Sequence, residues 1–234
     1  MNTIITTLTL LIFISSINSF SQHTFPDLKY TDVTKSSLGS QFGYIEPSNF
    51  KPINEFCVNE DTCFGFEIDE RLLGTLKLDK KSIEFYYCEA PSEDPTFYAV
   101  CNGEIIFKEF GKTLHLKNKT LYIEGRANSY FDKKRKFVFQ DGKYIETIQP
   151  LYYIGVKGKL NYSISIYQTE KLESKVATLP AGYKIEIIGG KTNPKNKSLE
   201  KLLLKTEFGL TGWVNFNPHE NEKPLTNSFV NIGD

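Results

Sequence analysis

Short apolar runs, broken at close intervals by two-residue turn signals, constrain this chain more than any other feature. Tyr98-Ala99-Val100-Cys101 is followed by Asn102-Gly103 and then by Glu104-Ile105-Ile106-Phe107. An Asn-Gly pair between apolar runs favours a type I′ hairpin turn, because both central residues must take positive φ. Lys136–Gln140 and Lys143–Ile148 flank Asp141-Gly142 in the same way, and Thr113–Leu116 and Leu121–Glu124 flank Lys117-Asn118-Lys119. Ile83–Tyr87 adds a further run. Strands this short and closely spaced predict an antiparallel sandwich or barrel. Only Asp69–Leu76 is long enough for two helical turns, and Gly74 argues against even that. The 13 Tyr and 18 Phe suit half-buried pleated surfaces. The expected class is all-β, with residues 23–55 a loop-rich lead-in holding one or two short strands.

The first residues read differently. Leu8, Leu10, Leu11, Ile12, Phe13 and Ile14 lie in a stretch with no charged side chain before His23, about the length of a signal-peptide apolar region. Small residues at Ser19 and Ser21 fit a cleavage site after Ser21. Residues 1–21 are therefore expected to be a signal peptide and the mature chain periplasmic or secreted. No later stretch is apolar enough to span a bilayer as a helix, so membrane insertion is not expected. Lys and Arg total 28 and so do Asp and Glu, which removes the overall electrostatic case for nucleic acid. The one dense basic run, Lys133-Lys134-Arg135-Lys136, reads as a solvated turn between two strands.

Export changes the meaning of the cysteines. Cys57, Cys63, Cys88 and Cys101 form an even set in the N-terminal half, and in an oxidising compartment they are disulfide candidates. Three connectivities are open. A hairpin over 82–88 and 96–101 places Cys88 and Cys101 at its opposite ends, which disfavours a direct bridge between them. No CxxC pair or nearby His favours zinc.

From residue 160 a new β series begins, and the junction is placed at 150–158. Tyr162–Tyr167 alternates polar and apolar residues. Lys175–Leu179 runs into Pro180-Ala181-Gly182, Tyr183–Ile188 alternates and ends at Gly189-Gly190, and a polar loop follows over Lys191–Ser198. Leu202–Thr206 then leads through Gly209-Leu210-Thr211-Gly212 into Trp213-Val214. Lys175–Gly182, Tyr183–Ile188 and Gly209–Val214, in that order, resemble a bacterial SH3-like (SH3b) domain over residues 158–217. The resemblance implies a small β-barrel that contacts peptides or cell-wall material. Ile166–Glu170 stands where many members carry a different first loop. The expected organisation is a signal peptide over 1–21, a β-rich N-terminal domain over 22–150, the SH3-like barrel over 158–217 and a tail over 218–234.

Catalytic signals are sparse. Asp61-Thr62-Cys63-Phe64-Gly65-Phe66 resembles the D-C-S-G segment of NlpC/P60 cell-wall peptidases, which implies Cys63 as nucleophile and His115 as its base. Thr62 and Phe64 depart from that pattern, and the other cysteines offer a structural disulfide instead. Glu67, Asp69 and Glu70 read as a solvated turn. No HExxH, GxSxG, phosphate loop or calcium loop occurs, so no metal or cofactor is expected. Tyr152, Tyr153, Tyr167 and Trp213 are the candidate binding residues, since amphipathic rings bind peptides at low entropy cost. The competing account puts Trp213 in the barrel core and the two adjacent tyrosines in the domain junction. The function expected is that of an exported, non-catalytic binding module contacting a protein, peptide or cell-wall component. The alternatives are the cysteine peptidase and an interaction protein whose barrel is only structural.

Overall fold

The computed structural model describes residues 27–33, 40–44, 49–56, 70–78, 80–89, 95–125, 129–217 and 224–230. The expected signal peptide, Cys57, Cys63, Glu67 and Asp69 lie outside them. In chain order the first strands are Lys29–Asp32 (β1), Gln41–Tyr44 (β2), Phe50–Phe56 (β3), Glu70–Leu78 (β4), Lys81–Glu89 (β5) and Pro95–Cys101 (β6). They continue with Glu104–Phe110 (β7), Thr113–Lys117 (β8), Thr120–Gly125 (β9), Lys133–Gln140 (β10) and Lys143–Thr147 (β11). No helix occurs among the described residues, and the fold is all-β.

The hairpin signals are realised as turns. Asn102 and Gly103 take φ of 53° and 80°, and Asp141 and Gly142 take 49° and 88°, the positive pair that a type I′ turn needs. Asp69–Leu76, the one stretch long enough for a helix, instead lies largely in β4. A side chain at Gly74 would sit 2.2 Å from Cζ of Phe50, so the glycine there lets β3 approach β4. Among its described residues the lead-in holds three strands rather than one or two.

These eleven strands form a sandwich. One sheet has the order β1-β2-β8-β9-β10-β11 and the other the order β3-β4-β5-β6-β7. The chain leaves the first sheet after β2, builds the whole second sheet, and returns as β8 parallel to β2, the one exception to antiparallel pairing between the named strands. The inner faces meet in one core that includes Phe42, Leu114, Leu121 and Phe137 from one sheet and Phe50, Ile83, Phe85 and Phe97 from the other. Phe85 is fully buried, and its ring centroid lies 6.4, 6.2 and 6.2 Å from those of Phe42, Phe50 and Tyr144.

Cys101 faces this core, whereas Cys88 belongs to a small cluster with Tyr86, Tyr98 and Val100 on the opposite face of the same sheet. Cys88 is paired with Thr96 and Cys101 with Ile83, so they stand at opposite ends of the hairpin as well. No disulfide is present among the described residues.

The basic run is not a turn. It opens β10, where alternation turns Lys133 and Arg135 toward the inner face at the end of the sandwich. Arg135 closes that end: it donates to Oε2 of Glu109 on β7 at 2.8 Å and lies 5.5 Å from the ring of Phe137. The guanidinium is thereby both paired with a carboxylate and set against an aromatic ring.

The C-terminal strands are Tyr152–Lys159 (β12), Ile164–Tyr167 (β13), Lys175–Leu179 (β14), Lys184–Thr192 (β15), Leu199–Thr206 (β16) and Thr211–Asn215 (β17). They form a single sheet of order β12-β15-β16-β17-β13-β14, curled around a core of Ile166, Leu179, Ile187, Leu202 and Leu204. The sheet is not closed as a barrel. Strand β15 runs past Gly189-Gly190 instead of ending there, because the absent side chains leave room for Leu151 over Gly189 and for Ile154 and Leu199 over Gly190.

The second core draws on residues from outside its own sheet. Phe131, just before β10, is buried in the second core beside Leu225 and Phe229 of the C-terminal segment. Tyr130 packs edge-on against Phe216 at 4.9 Å. Phe85→Ala removes the ring that both sheets share and is expected to cost about 3–5 kcal/mol in urea unfolding; a loss below 1 kcal/mol contradicts the central place given to it.

Candidate functional site

Register in the curled sheet assembles a surface that no local segment contains. Tyr153 is opposite Gly189, Gly189 opposite Leu203, Leu203 opposite Trp213, and Trp213 opposite Tyr167. Directly opposed residues share one face of an antiparallel sheet. The five positions therefore form one row across β12, β15, β16, β17 and β13. At about 4.8 Å between neighbouring strands the row is roughly 19 Å long. It lies on the outer face, because Tyr152, Gly190, Leu202, Val214 and Ile166, one residue along each strand, line the buried side.

Two irregularities shape it. The ladder between β12 and β15 slips between Tyr153 and Val156, and Gly155 there has φ of 73°. A side chain at Gly155 would come within 2.6 Å of Oη of Tyr153, so the ring is laid back along its own strand over the glycine. It stays 64% exposed. Across the gap at Gly189 lies Leu151, whose Cγ would be 2.9 Å from an added Cβ. Tyr153, Leu151, Leu203, Trp213 and Tyr167 thus make a continuous apolar strip, with Leu203, Trp213 and Tyr167 half-buried.

Charged side chains border the strip. On one side stand Lys191 and Lys201, opposite one another in register; Lys191 is paired with Glu170 at 2.6 Å and Lys201 donates to Asn215 at 2.8 Å. On the other side run Lys157, Glu186 and Lys205. That flank continues into an open cleft of about 630 Å³ that also takes in Lys159, Lys184 and Asn227. Residues 152–217 contain ten Lys and five Glu, with no Arg or Asp, so a chain that is neutral as a whole carries a positive C-terminal part.

The structure thus brings together Tyr153, Tyr167 and Trp213 of the four candidate aromatics. Trp213 is in the outer-face row, not in the core of the curled sheet. Tyr152 is separated from the other three: it is 4% exposed and points into the junction. Its hydroxyl donates to Oε1 of Glu146 at 3.3 Å, and burial, followed by the Glu146 charge, raises its pKa. Leu151 and Leu203 were not legible as site residues. Leu203 stands in an unbroken Leu202-Leu203-Leu204 run, and only its offset from Trp213 reveals its face.

The other candidates fall elsewhere. His115 is 3% exposed on the outer side of the first sheet, where its ring meets Tyr30 edge-on at 5.6 Å. Gly43 makes room for this contact, since a Cβ there would lie 3.1 Å from Nδ1 of His115. Glu70 is not on a solvated turn: it begins β4 and is 3% exposed. Burial pushes its carboxyl above the ordinary range, and the neighbouring Tyr98 hydroxyl opposes that shift. Tyr98 itself is pushed far above the usual phenol range, by burial first and Glu70 second. No group of three or more His, Cys, Asp or Glu suited to a metal ion occurs among the described residues.

Comparison of the chain with protein families, curated proteins and solved structures gave no match.

Lys197 reaches Oε2 of Glu146 at 2.9 Å, and this hydrogen bond raises the Lys197 pKa above its ordinary 10.5. A raised folded value means that the pair's stabilisation is complete below pH 10.5 and is lost as pH climbs through the folded value. Glu146→Gln is expected to return Lys197 to its ordinary range and remove that alkaline loss, read by NMR titration of the lysine side chains.

Proposed function

We propose that this chain is an exported, non-catalytic binding protein whose C-terminal part is a bacterial SH3-like (SH3b) domain, and that the outer-face strip is its contact surface. The observation that carries the reading is the Tyr153–Leu203–Trp213–Tyr167 row. Rigid aromatic rings give large contact area for little lost side-chain entropy, and Trp and Tyr supply a disproportionate share of binding energy. A strip roughly 19 Å long suits an extended ligand better than a compact one. The excess of lysine around it favours an acidic peptide, protein segment or cell-wall polymer.

The assignment to the SH3-like class is supported by the order of elements. Lys175–Leu179 forms β14, Pro180-Ala181-Gly182 turns the chain with Gly182 at φ of 80°, β15 and β16 follow as a hairpin, and Gly209–Val214 leads into β17. The non-catalytic reading is supported by His115. A peptidase needs an imidazole within hydrogen-bond reach of its thiol and open to substrate, whereas this one is buried beneath Tyr30. Cys63 lies outside the described residues.

A structural role for the C-terminal domain is a second reading, and one observation favours it. Tyr130 and Phe131, from the strand series of the sandwich, enter the second core and pack with Phe216 and Phe229. The two readings differ in what the free outer face does.

Trp213 is the only tryptophan, so its emission reports on the row alone. Titration with soluble peptidoglycan fragments and with acidic peptides is expected to shift that emission. Tyr167→Ala should weaken the same binding by tenfold or more. Unchanged emission with every probe, or equal affinity in the variant, leaves the structural role as the surviving reading.

A further inference from the structure

The end of the sandwich that faces the C-terminal sheet encloses a second, smaller cavity of about 130 Å³. Its wall includes Glu109, Lys133, Arg135, Glu146, Tyr152 and Lys197. Two of the three cations are matched. Arg135 donates to Glu109 at 2.8 Å and also to the Phe110 carbonyl oxygen at 3.2 Å, and Lys197 donates to Glu146 at 2.9 Å. The other oxygen of Glu146 accepts from the Tyr152 hydroxyl at 3.3 Å. Lys133 makes no ion pair among the described residues; its ammonium lies 6.0 Å from the centroid of the Phe131 ring.

That leaves one positive charge in excess at the wall of a partly enclosed space. An ammonium that is half-buried and has no ion pair is disfavoured. The cost is visible in the direction of its titration: burial first, and Arg135 second, lower the Lys133 pKa, with Glu146 opposing. The cavity is about four waters in volume, taking roughly 30 Å³ for each. An ion of four or five heavy atoms fills such a space, and a single oxyanion cancels the excess charge.

We propose that this junction cavity is a binding site for a small oxyanion group, a carboxylate or phosphate, with Lys133 as its principal cation. Arg135 and Lys197 add positive potential from either side, and neither has to leave its carboxylate. The group would sit between the sandwich and the curled sheet, so its binding reinforces their docking. The site is independent of the aromatic strip.

The test uses the full mature chain with inorganic phosphate, acetate and a short peptide ending in a free carboxylate as probes. Sodium chloride of equal ionic strength serves as control. Thermal unfolding of the parent is expected to shift upward with phosphate or acetate beyond the chloride control. Lys133→Met keeps the length of the stem and removes the charge. It is expected to fold at least as stably without anion and to lose the anion-dependent shift, with affinity falling tenfold or more. Lys134→Met, on the other face of the same strand, should keep the shift. In the parent, the Lys133 side-chain resonance should report a raised pKa when phosphate is bound, a readout that survives if the Lys133 variant fails to fold. A shift with the free ions alone identifies a site for a free anion, and an equal or larger shift with the peptide identifies one for a terminal carboxylate. An equal anion response in the parent and Lys133→Met, or a Lys133 resonance that ignores every probe, overturns the proposal.

Discussion

Contact between the two sheets at Phe85 is the interaction on which the rest of the molecule rests. Its ring meets Phe42 and Tyr144 from the facing sheet and Phe50 from its own, so the spacing and alignment of the sandwich are set there. From that centre the interior runs outward through Phe107 and Phe137 to the Arg135–Glu109 pair, where apolar packing gives way to charge. Beyond it stand the residues that meet the C-terminal sheet. Tyr130 and Phe131 enter the second core, and Glu146 takes the hydrogen bonds of Tyr152 and Lys197. The placement of the second sheet is thus a consequence of how the first core ends.

The two faces of the curled sheet divide its labour by a single-residue offset. Tyr152, Ile166, Leu202 and Val214 fill the core, and Tyr153, Tyr167, Leu203 and Trp213, each one residue away, line the outer strip. Because successive side chains in a strand point to opposite faces, a slip of one residue would exchange the two sets. Loss of the strip would then accompany loss of the core. Lysines border the same strip, so the outer face combines aromatic rings with positive charge.

Much of the fold was legible because hairpin chemistry is local. Asn102-Gly103 and Asp141-Gly142 named their turns by the φ values they tolerate, and the strands on either side followed. The C-terminal runs from Tyr162 to Val214 were readable from alternation for the same reason. The failures were tertiary. Glu70 and the Lys133–Lys136 run looked solvated because charge in a short segment usually is, yet strand alternation turned Glu70, Lys133 and Arg135 toward packed surfaces. Gly189-Gly190 looked like an end because glycine usually interrupts a strand; here Leu151, Ile154 and Leu199 needed the space.

The sequence alone determined the all-β class and the hairpins, since these depend on period and turn conformation within a few positions. Tertiary structure decided which aromatics share a face. Tyr153 and Tyr167 are joined through Gly189, Leu203 and Trp213 by pairings between strands far apart in the chain. Tyr152, adjacent to Tyr153 in sequence, was turned to the junction instead. The neutral total charge likewise concealed a positive C-terminal part and the charge excess at the junction cavity, because net charge is a sum and carries no record of position.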